Sequence, residues 1–280
     1  SQRCMSVKSM AKADILPVII FALFVGAGII SVGGKRAETL ISFFDAFAEV
    51  CYKIIAMIMK TAPIGVFCLL LPVVVMNGPK VLLPLLSVII CMLIGCTIHA
   101  VCVYSAMTTV AAHMSPVTFF RGMSEAMAIA FTTCSSAGTL PVNMKNVQEK
   151  LGVHRDIASF VLPLGATINM DGTALYMGVC SIFIANVFGV PLTFDQMMMI
   201  VLTGTLASIG TAGVPGAGLI MLAMVLQSVG LPLEGLALVA GIDRVLDMFR
   251  TCLNITGDAA FAVVVNASEQ EVPSDIQITE

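Results

Sequence analysis

Long apolar runs alternate with short polar links along this chain, which is the pattern of helices that cross a bilayer. Residues 15–31 form one apolar run and residues 81–110 another. Residues 37–76 lie between them and are amphipathic at first and then apolar. A helix needs about 20 mostly apolar residues to span the hydrocarbon core. The first part of the chain therefore predicts ordinary membrane helices.

The second part of the chain departs from this pattern in two places. Residues 115–152 hold two apolar pieces, each too short to cross, joined by TTCSSAGTLP, and residues 193–230 repeat the theme around SIGTAGVPGAG. A span over residues 156–188 is interrupted by NMDGT, and a last span covers residues 233–267. Irregular backbone at membrane depth requires protein or a watery cavity to satisfy it. We predict two hairpins that enter and leave on the same side, arranged as inverted repeats, which is typical of transporter binding sites.

Composition confirms the class and excludes several others. The 280 residues are 58% hydrophobic and 11% charged, with a mean hydropathy of +1.01, whereas soluble domains are about 45–50% apolar. The net charge of −3 gives no argument for nucleic-acid binding. Nine cysteines contain no C-x-x-C pair, so neither a zinc site nor a disulfide framework is indicated. The N-terminus lacks the features of a signal peptide.

Basic residues indicate an orientation. Arg121, Lys145, Lys150 and Arg155 flank the first hairpin, whereas the links around the second hairpin carry neither Lys nor Arg. Lys and Arg collect in cytoplasmic loops. We therefore expect the first hairpin to enter from the cytoplasm, the second to enter from outside, and the C-terminus to be cytoplasmic.

The stretch DRVLDMFRTCLNITGD, residues 243–258, places several charges in one helical segment. At about 100° per residue, its polar stripe falls within an arc of roughly 80°; the stripe consists of Asp243, Asp247, Arg250, Asn254 and Asp258. A charge at the bilayer centre costs at least about 2.5–3.5 kcal/mol on insertion scales. Mutual neutralisation of Asp247 and Arg250 is one explanation, but it leaves the other three without a role. We favour a stripe that faces a cavity for a charged solute and cations.

The residue types suit a zwitterionic acid. The Arg250 guanidinium offers a planar fork that matches a carboxylate, and a nearby aspartate can hold an ammonium. NMDGT places Asp171 beside a helix break, with Asn169 and Thr173 as further oxygens. The ends of a broken helix add N–H groups for a carboxylate and free carbonyls for a cation. NMDGT alone is also compatible with a simple Asx turn.

These motifs, taken in order, resemble one known family. NMDGT, SSAGTLP, GTAGVPG and the charged stretch look like the dicarboxylate/amino acid:cation symporters, which include the excitatory amino acid transporters, and the resemblance covers residues 15–265. It implies an all-α polytopic membrane protein with inverted repeats, two re-entrant helical hairpins and two broken or charged transmembrane helices. It further implies a homotrimer with a partial scaffold over residues 1–78, a transport domain over residues 79–270 and an acidic polar tail over residues 271–280.

The resemblance also assigns site residues. Arg250 would bind the substrate side-chain carboxylate and Asp247 the amino group. The other implied substrate contacts are Ser135, Ser136, Thr173, Val214, Gly218, Thr251 and Asn254. One sodium site would use Asp258 with Gly165, Asn169 and Asn254, and a second would use Asp171 with Asn169. The third would use carbonyls near Thr167, Ser208, Ile209 and Thr211, and Met170 belongs to the same sodium-ligand set.

The function so implied is sodium-coupled symport of L-aspartate or L-glutamate by alternating access, in a multi-pass protein of the plasma (cytoplasmic) membrane. Sodium ions would be co-transported, and neither an organic cofactor nor a nucleic-acid partner is expected. The tip of the second hairpin, residues 208–218, would be the outer gate. A dicarboxylate symporter of the same family is the alternative. An intramembrane aspartyl protease using Asp171 and Asp247 gives no reason for Arg250, and an ion channel needs no carboxylate fork.

Some positions depart from the family pattern. The family's first helices are expected to be missing, together with oxygens that one of them would lend to Asp171. Cys134 stands where relatives carry Arg or Ser, Ala137 replaces the last serine of a triple-serine tip, and Met248 replaces an arginine of the animal proteins. His99 lies in a span and is expected to be a packing residue.

Overall fold

The computed structural model describes residues 15–59, 82–209 and 213–271, together with Ile64, Phe67, Cys68, Leu71, Val75 and Thr211. All regular elements within these residues are helical. The predicted tail beyond Glu271 and most of the predicted run over residues 60–81 lie outside the described part of the chain. The chain divides into two compact units, one within Ser1–Gly65 and one within Val66–Glu280.

The first unit contains two helices that pack against each other. Helix α1, Ile15–Val32, is apolar except for Ser31, whereas α2, Gly34–Met59, mixes apolar and charged residues. Gly33 and Gly34 separate them with φ values of 59° and 62°, in the left-handed region that glycine adopts without a steric penalty. This glycine pair ends the first predicted span.

The second unit begins with α3, Leu82–His99, which continues as two π-helical turns, Ala100–Tyr104 and Met107–Ala111. The helices that follow are α4 Pro116–Thr133, α5 Ser136–Glu149, α6 Arg155–Ile168, α7 Asp171–Val187, α8 Phe194–Ile209, α9 Ala217–Ser228, α10 Gly235–Ala240 and α11 Asp243–Glu271.

Three helical segments among the described residues are long and apolar enough to cross a membrane: Leu83–Ala111, Arg155–Val187 and Asp243–Glu269. Their burial differs sharply. In Asp243–Glu269, 67% of the most apolar 18-residue stretch is buried inside the protein, whereas in Leu83–Ala111 only 17% is buried. Helix α11 packs against α3, α4, α5, α6 and α7. It is therefore the core of this unit, while α3 turns most of its apolar surface outward.

Two pairs of shorter helices form helical hairpins, as the pattern predicts. Hairpin 1 consists of α4 and α5, which pack together and are joined by Cys134 and Ser135. Hairpin 2 consists of α8 and α9, which also pack together. Gly210 and Ala212 of the predicted gate tip lie outside the described residues. The re-entry of these hairpins and their inverted relation stay predictions.

The predicted last span over residues 233–267 is in fact two helices. The short α10 ends at Ala240, and a two-residue turn, with bonds from Ile242 N to the Val239 carbonyl and from Val245 N to the Ile242 carbonyl, separates it from α11. A Cβ at Gly235 would lie 2.5 Å from the Ile184 side chain, so α10 approaches α7 closely. Because α11 begins after this turn, Asp243 lies in its first turn, where an acidic side chain interacts favourably with the helix dipole.

Candidate functional site

The polar stripe of α11 is buried along its whole length. The exposed fractions are 7% for Asp243, 2% for Asp247, 3% for both Arg250 and Asn254, and 1% for Asp258. Because α11 is surrounded by other helices, these groups must find partners within the protein. The stripe predicted from helical spacing is thus a buried polar seam.

Asp247 is held by donors from two directions. Its Oδ1 lies 2.9 Å from Arg250 Nη2 and accepts a 2.9 Å hydrogen bond from Thr251 Oγ1. Its Oδ2 accepts a 3.0 Å bond from the backbone N–H of Gly216, in the tip of hairpin 2. The i,i+3 neutralisation of Asp247 and Arg250 is therefore present, and hairpin 2 closes onto the same carboxylate.

Arg250 also lies close to Tyr176, which spacing did not identify, and to Asp243 of its own stripe. Its Cζ lies 4.6 Å from the centre of the Tyr176 ring, a cation–π distance, and its Nη1 lies 3.9 Å from Asp243 Oδ1. A Cβ at Gly218 would overlap with the guanidinium. The bare backbone of Gly218 therefore allows the hairpin 2 tip to lie directly against the arginine.

A small cavity lies at this point. Its volume is about 10 Å³, which is the room of about one water molecule. Most of the predicted substrate residues line it; the lining comprises Cys134, Ser136, Met170, Thr173, Thr211, Gly213, Val214, Ala217, Gly218, Asp247, Arg250, Thr251 and Asn254. The structure thus brings most of the predicted substrate residues together, around a space that holds no more than about one water molecule.

The break between α6 and α7 meets the stripe at Asn254. Asn169 and Met170 leave the helical region, with φ and ψ of −90° and 86° at Asn169. Asn254 Oδ1 accepts a 2.8 Å bond from Gly172 N, while its Nδ2 donates to Thr173 Oγ1 at 3.2 Å and contacts Met170 Sδ at 3.1 Å. Asn254 therefore secures the helix break and completes the seam.

The predicted cation-binding residues are brought together unevenly. Asn169 Nδ2 donates to Asp258 Oδ1 at 3.0 Å, and a Cβ at Gly165 would lie 2.6 Å from the same oxygen. Asp258, Asn169 and Gly165 thus form one group. In the third predicted set, the hydroxyls of Thr167, Ser208 and Thr211 donate to carbonyls of their own segments, while Ile209 is 38% exposed.

Asp171 has partners that the sequence did not reveal. Its Oδ2 accepts a 2.9 Å bond from the Tyr104 hydroxyl and lies 3.2 Å from His99 Nε2. His99 is therefore more than the packing residue that we expected from its place in an apolar run. Asn169, which the second predicted sodium site pairs with Asp171, is bonded to Asp258 instead.

The two hairpin tips touch each other beside the cavity. Ser135 Oγ and Ala137 N both donate to the Gly213 carbonyl, at 3.0 and 3.2 Å. Ser136 is buried and lines the cavity, whereas the Ser135 hydroxyl also accepts from Gly138 N at 3.0 Å as the cap of α5. The Ser135 side chain thus joins the tips, and its predicted substrate contact stays a prediction.

Comparison with known proteins bears on this arrangement. A model of the sodium:dicarboxylate symporter family matches residues 5–268. The chain belongs to this family. Membership in this family, together with the apolar helices among the described residues, supports a multi-pass membrane protein. The expectation that it is not an enzyme is confirmed by the family and by the names of its relatives.

Similar proteins in the family come from animals and bacteria. An excitatory amino acid transporter of Caenorhabditis elegans is 38% identical over 93% of this chain and 52% of its own length. Excitatory amino acid transporter 2 of Homo sapiens is 39% identical over 85% of this chain and 42% of its own length. The proton/glutamate-aspartate symporter of Escherichia coli (strain K12) is 37% identical over 92% of this chain and 59% of its own length. The chain thus spans about half the length of these family members.

Proposed function

We propose that the chain forms the substrate- and ion-binding part of a sodium-coupled symporter of acidic amino acids, L-aspartate or L-glutamate. The observation that carries this proposal is the buried Arg250–Asp247 pair at 2.9 Å, beneath a glycine-rich hairpin tip. Symport would proceed by alternating access in the plasma membrane, in a homotrimer with a cytoplasmic C-terminus. The family and the names of relatives that act on glutamate and aspartate support this proposal.

The Arg250–Asp247 pair suggests how a zwitterionic acid enters. The ammonium of the substrate replaces the Arg250 guanidinium on Asp247, and Arg250 then binds the substrate side-chain carboxylate. This exchange leaves both Asp247 and Arg250 with a partner of opposite charge, which matters because an unpaired buried charge is strongly destabilising. Thr173, Thr251 and Asn254 supply polar contacts from the cavity wall. The backbone at Ser136, Val214 and Gly218 surrounds the rest of the substrate.

Hairpin 2 is the gate in this proposal. Its tip contacts Asp247 through Gly216 N and lies against Arg250 at Gly218, so it must lift before the roughly 10 Å³ cavity can enlarge. Entry from outside follows from the placement of Lys and Arg along the chain. Glycine-rich backbone can adopt open and closed forms at low cost.

Sodium ions would bind beside the substrate. Asp258, whose Oδ1 accepts from Asn169 Nδ2 and lies close to Gly165, would provide one site, and Asp171 would provide a second site. A buried carboxylate without a cation is costly in a membrane. Sodium and substrate should therefore strengthen each other's binding, because coupling between sites is reciprocal.

A dicarboxylate without an amino group is the alternative substrate, as the family description suggests. Asp247 favours the amino acid, because a dicarboxylate offers it no cation. The name of the Escherichia coli relative makes protons the alternative coupling ion.

The test is calorimetric binding of L-aspartate, L-glutamate and succinate to the complete protein, in sodium and in choline buffers. We expect tight aspartate or glutamate binding in sodium and at least tenfold weaker binding in choline. Equal affinity in both buffers would exclude sodium coupling. Tighter binding of succinate than of either amino acid would favour the dicarboxylate alternative.

A further inference from the structure

The end of α3 changes its helical period at the point where it approaches Asp171. Ala100–Tyr104 is a π-helical turn that follows directly on His99. At about 100° per residue, residues five apart point roughly 140° away from each other, whereas a π turn joins residues five apart by its hydrogen bonds. The rings of His99 and Tyr104 consequently meet edge to face, with centroids 5.1 Å apart.

This change of period brings two side chains onto one carboxylate oxygen. Asp171 Oδ2 lies 2.9 Å from the Tyr104 hydroxyl and 3.2 Å from His99 Nε2. Tyr104 is 1% exposed, whereas the Asp171 side chain is 33% exposed. Neither Tyr104 nor Asp171 lines the small cavity at Arg250. The contact is thus a separate polar site on the outer side of the helix break.

The Tyr104 hydroxyl also reaches a second acceptor. It lies 3.2 Å from the Leu253 carbonyl on α11. It can approach this backbone because Gly257 has no side chain, since a Cβ there would lie 2.6 Å from the hydroxyl oxygen. A tyrosine hydroxyl carries one proton and also accepts. It can therefore donate fully to Asp171 or to Leu253, but not to both.

We propose that the Tyr104 hydroxyl is a two-position switch that holds Asp171 in the absence of a monovalent cation and turns to the Leu253 carbonyl when a cation takes Asp171. Tyr104 is then a positioning residue that lowers the affinity of this site for sodium. It also links the occupancy of the site to α11, where Leu253 precedes Asn254 of the substrate seam. The inference rests on the proposed function, because it takes Asp171 as a sodium ligand.

The energetic order of the two bonds gives the sign of the effect. A hydrogen bond to a charged acceptor is roughly twice as strong as a bond between neutral groups. When a cation takes Asp171, the Tyr104 hydroxyl must exchange its stronger bond to the carboxylate for a weaker bond to the Leu253 carbonyl. The free energy lost in this exchange opposes cation binding. Removal of the hydroxyl removes this opposition, so sodium should bind more tightly, by about fivefold. A purely structural contact predicts the opposite, because its loss weakens or leaves unchanged the binding of ligands.

The variant that tests the switch is Tyr104→Phe, which retains the buried ring. The matched control is Thr108→Val, because Thr108 is equally buried on α3 and its hydroxyl donates to the carbonyls of Tyr104 and Ser105 within the same segment. L-aspartate binding to the complete protein is titrated against sodium chloride, with choline chloride holding the ionic strength constant. For each protein, the association constant for L-aspartate is plotted against the sodium concentration. The quantity compared between the proteins is the sodium concentration at which this constant reaches half of its maximal value.

We expect this concentration to fall about fivefold in Tyr104→Phe and to stay unchanged in Thr108→Val. The sodium-dependent rise of the melting temperature without aspartate should shift to lower sodium in the same way, which keeps the test valid if the variant binds aspartate poorly. An unchanged or higher sodium requirement in Tyr104→Phe overturns the switch. If the unaltered protein itself shows no sodium dependence, the proposed function fails rather than this inference.

Discussion

Hairpins 1 and 2 have similar helices, yet they are held in the protein by different contacts. Their helices have 18 and 14 residues in hairpin 1 and 16 and 12 residues in hairpin 2. Both helices of hairpin 1 pack along the central α11, and α5 also packs on α6. Both helices of hairpin 2 pack on α7 instead. The contacts of hairpin 2 with the polar stripe are made by its tip, at Asp247 and Arg250.

The tips of the two hairpins also differ in their hydrogen bonds. In hairpin 1, Ser135 caps α5 by accepting from Gly138 N, and its carbonyl accepts from the Thr139 hydroxyl at 2.8 Å. In hairpin 2, Gly216 adopts a φ of 78° just before α9. The tip of hairpin 1 is thus capped locally, whereas the tip of hairpin 2 has local turn bonds and in addition a bond from Gly216 N to Asp247 of the polar stripe.

The difference shows which hairpin is suited to move. Lifting the tip of hairpin 2 breaks the bonds of Gly216 N to Asp247 and of Ser135 and Ala137 to Gly213, each worth roughly 1 kcal/mol net. Moving hairpin 1 would expose helix surface buried along α11, at about 25 cal/mol for each Å² of apolar area. We therefore regard hairpin 1 as a wall of the site and hairpin 2 as its cover.

Removal of Arg250, which the cover contacts and which we propose to bind the substrate, should have the largest effect. We expect Arg250→Cys to lose L-aspartate affinity by roughly 100-fold, because hydrogen bonds to the carboxylate are charge-assisted. Small neutral amino acids should still bind in sodium, since Asp247 can hold their ammonium. Competition binding with L-aspartate and L-alanine measures both.

The matched control for that experiment is Arg244→Cys. Arg244 lies on the same helix but is exposed and donates to the Thr132 carbonyl of hairpin 1 at 3.2 Å. Its loss should leave aspartate affinity within about threefold. Retained aspartate affinity in Arg250→Cys would mean that Arg250 only neutralises Asp247.

A smaller effect should follow from preventing the cover from closing. In Gly218→Ala the new Cβ overlaps with the Arg250 guanidinium, and overpacking of this kind costs about 1–3 kcal/mol. We expect aspartate affinity to fall by about 10- to 100-fold. In Gly178→Ala the new Cβ meets nothing within 4 Å, so this variant should bind as the unaltered protein does. Equal affinities in the two variants would contradict a tip that closes onto Arg250.

The two hairpins should differ in the side of the membrane from which a thiol reagent reaches their tips. We expect ligand to change the rate of this thiol reaction severalfold in hairpin 2. Single cysteines at Ala217 in hairpin 2 and Ala137 in hairpin 1, each in a protein without native cysteines, are treated with an impermeant thiol reagent. We expect the Ala217 position to react from outside, and sodium with aspartate to slow it by favouring the closed tip. The Ala137 position should react from the cytoplasmic side. Reversed sidedness would refute the topology inferred from the basic residues.

The smallest effect concerns an exposed ion pair of hairpin 1. Lys150 Nζ lies 2.7 Å from Glu125 Oε2, and this hydrogen bond lowers the pKa of the Glu125 carboxyl below its ordinary value. Since the folded pKa lies below the unfolded value of about 4.3, the pair stabilises the protein above that pH and loses its contribution as the pH falls. Exposed pairs contribute little. We expect Glu125→Gln to lower the melting temperature only slightly at pH 7 and by less at pH 3. A large drop at pH 7 would show that hairpin 1 depends on its surface charges.

Several features of the site were predictable from the sequence because they follow from local periodicity. Spacing at the helical period placed Asp243, Asp247 and Arg250 on one face, and all three are buried. Short apolar pieces around TTCSSAGTLP predicted hairpin 1, and NMDGT predicted the break at Asn169 and Met170. The turn after Ala240 was missed, because the apolar pattern of residues 235–242 continues across it.

The sequence by itself thus determined the class of the protein, its family, its hairpins and the face of α11 that carries charge, because each depends on residue types at short spacing. Only the tertiary structure decided which groups meet. Tyr104 and Asp171 are 67 positions apart, and the π turn that aligns Tyr104 with His99 has no counterpart in the regular helical period. Tyr176 contacts Arg250 only because α7 packs on α11. The helical period fixes the direction in which each side chain points from its own helix. The partners that a side chain meets on other helices depend on how the helices pack and on their register, which no single segment encodes.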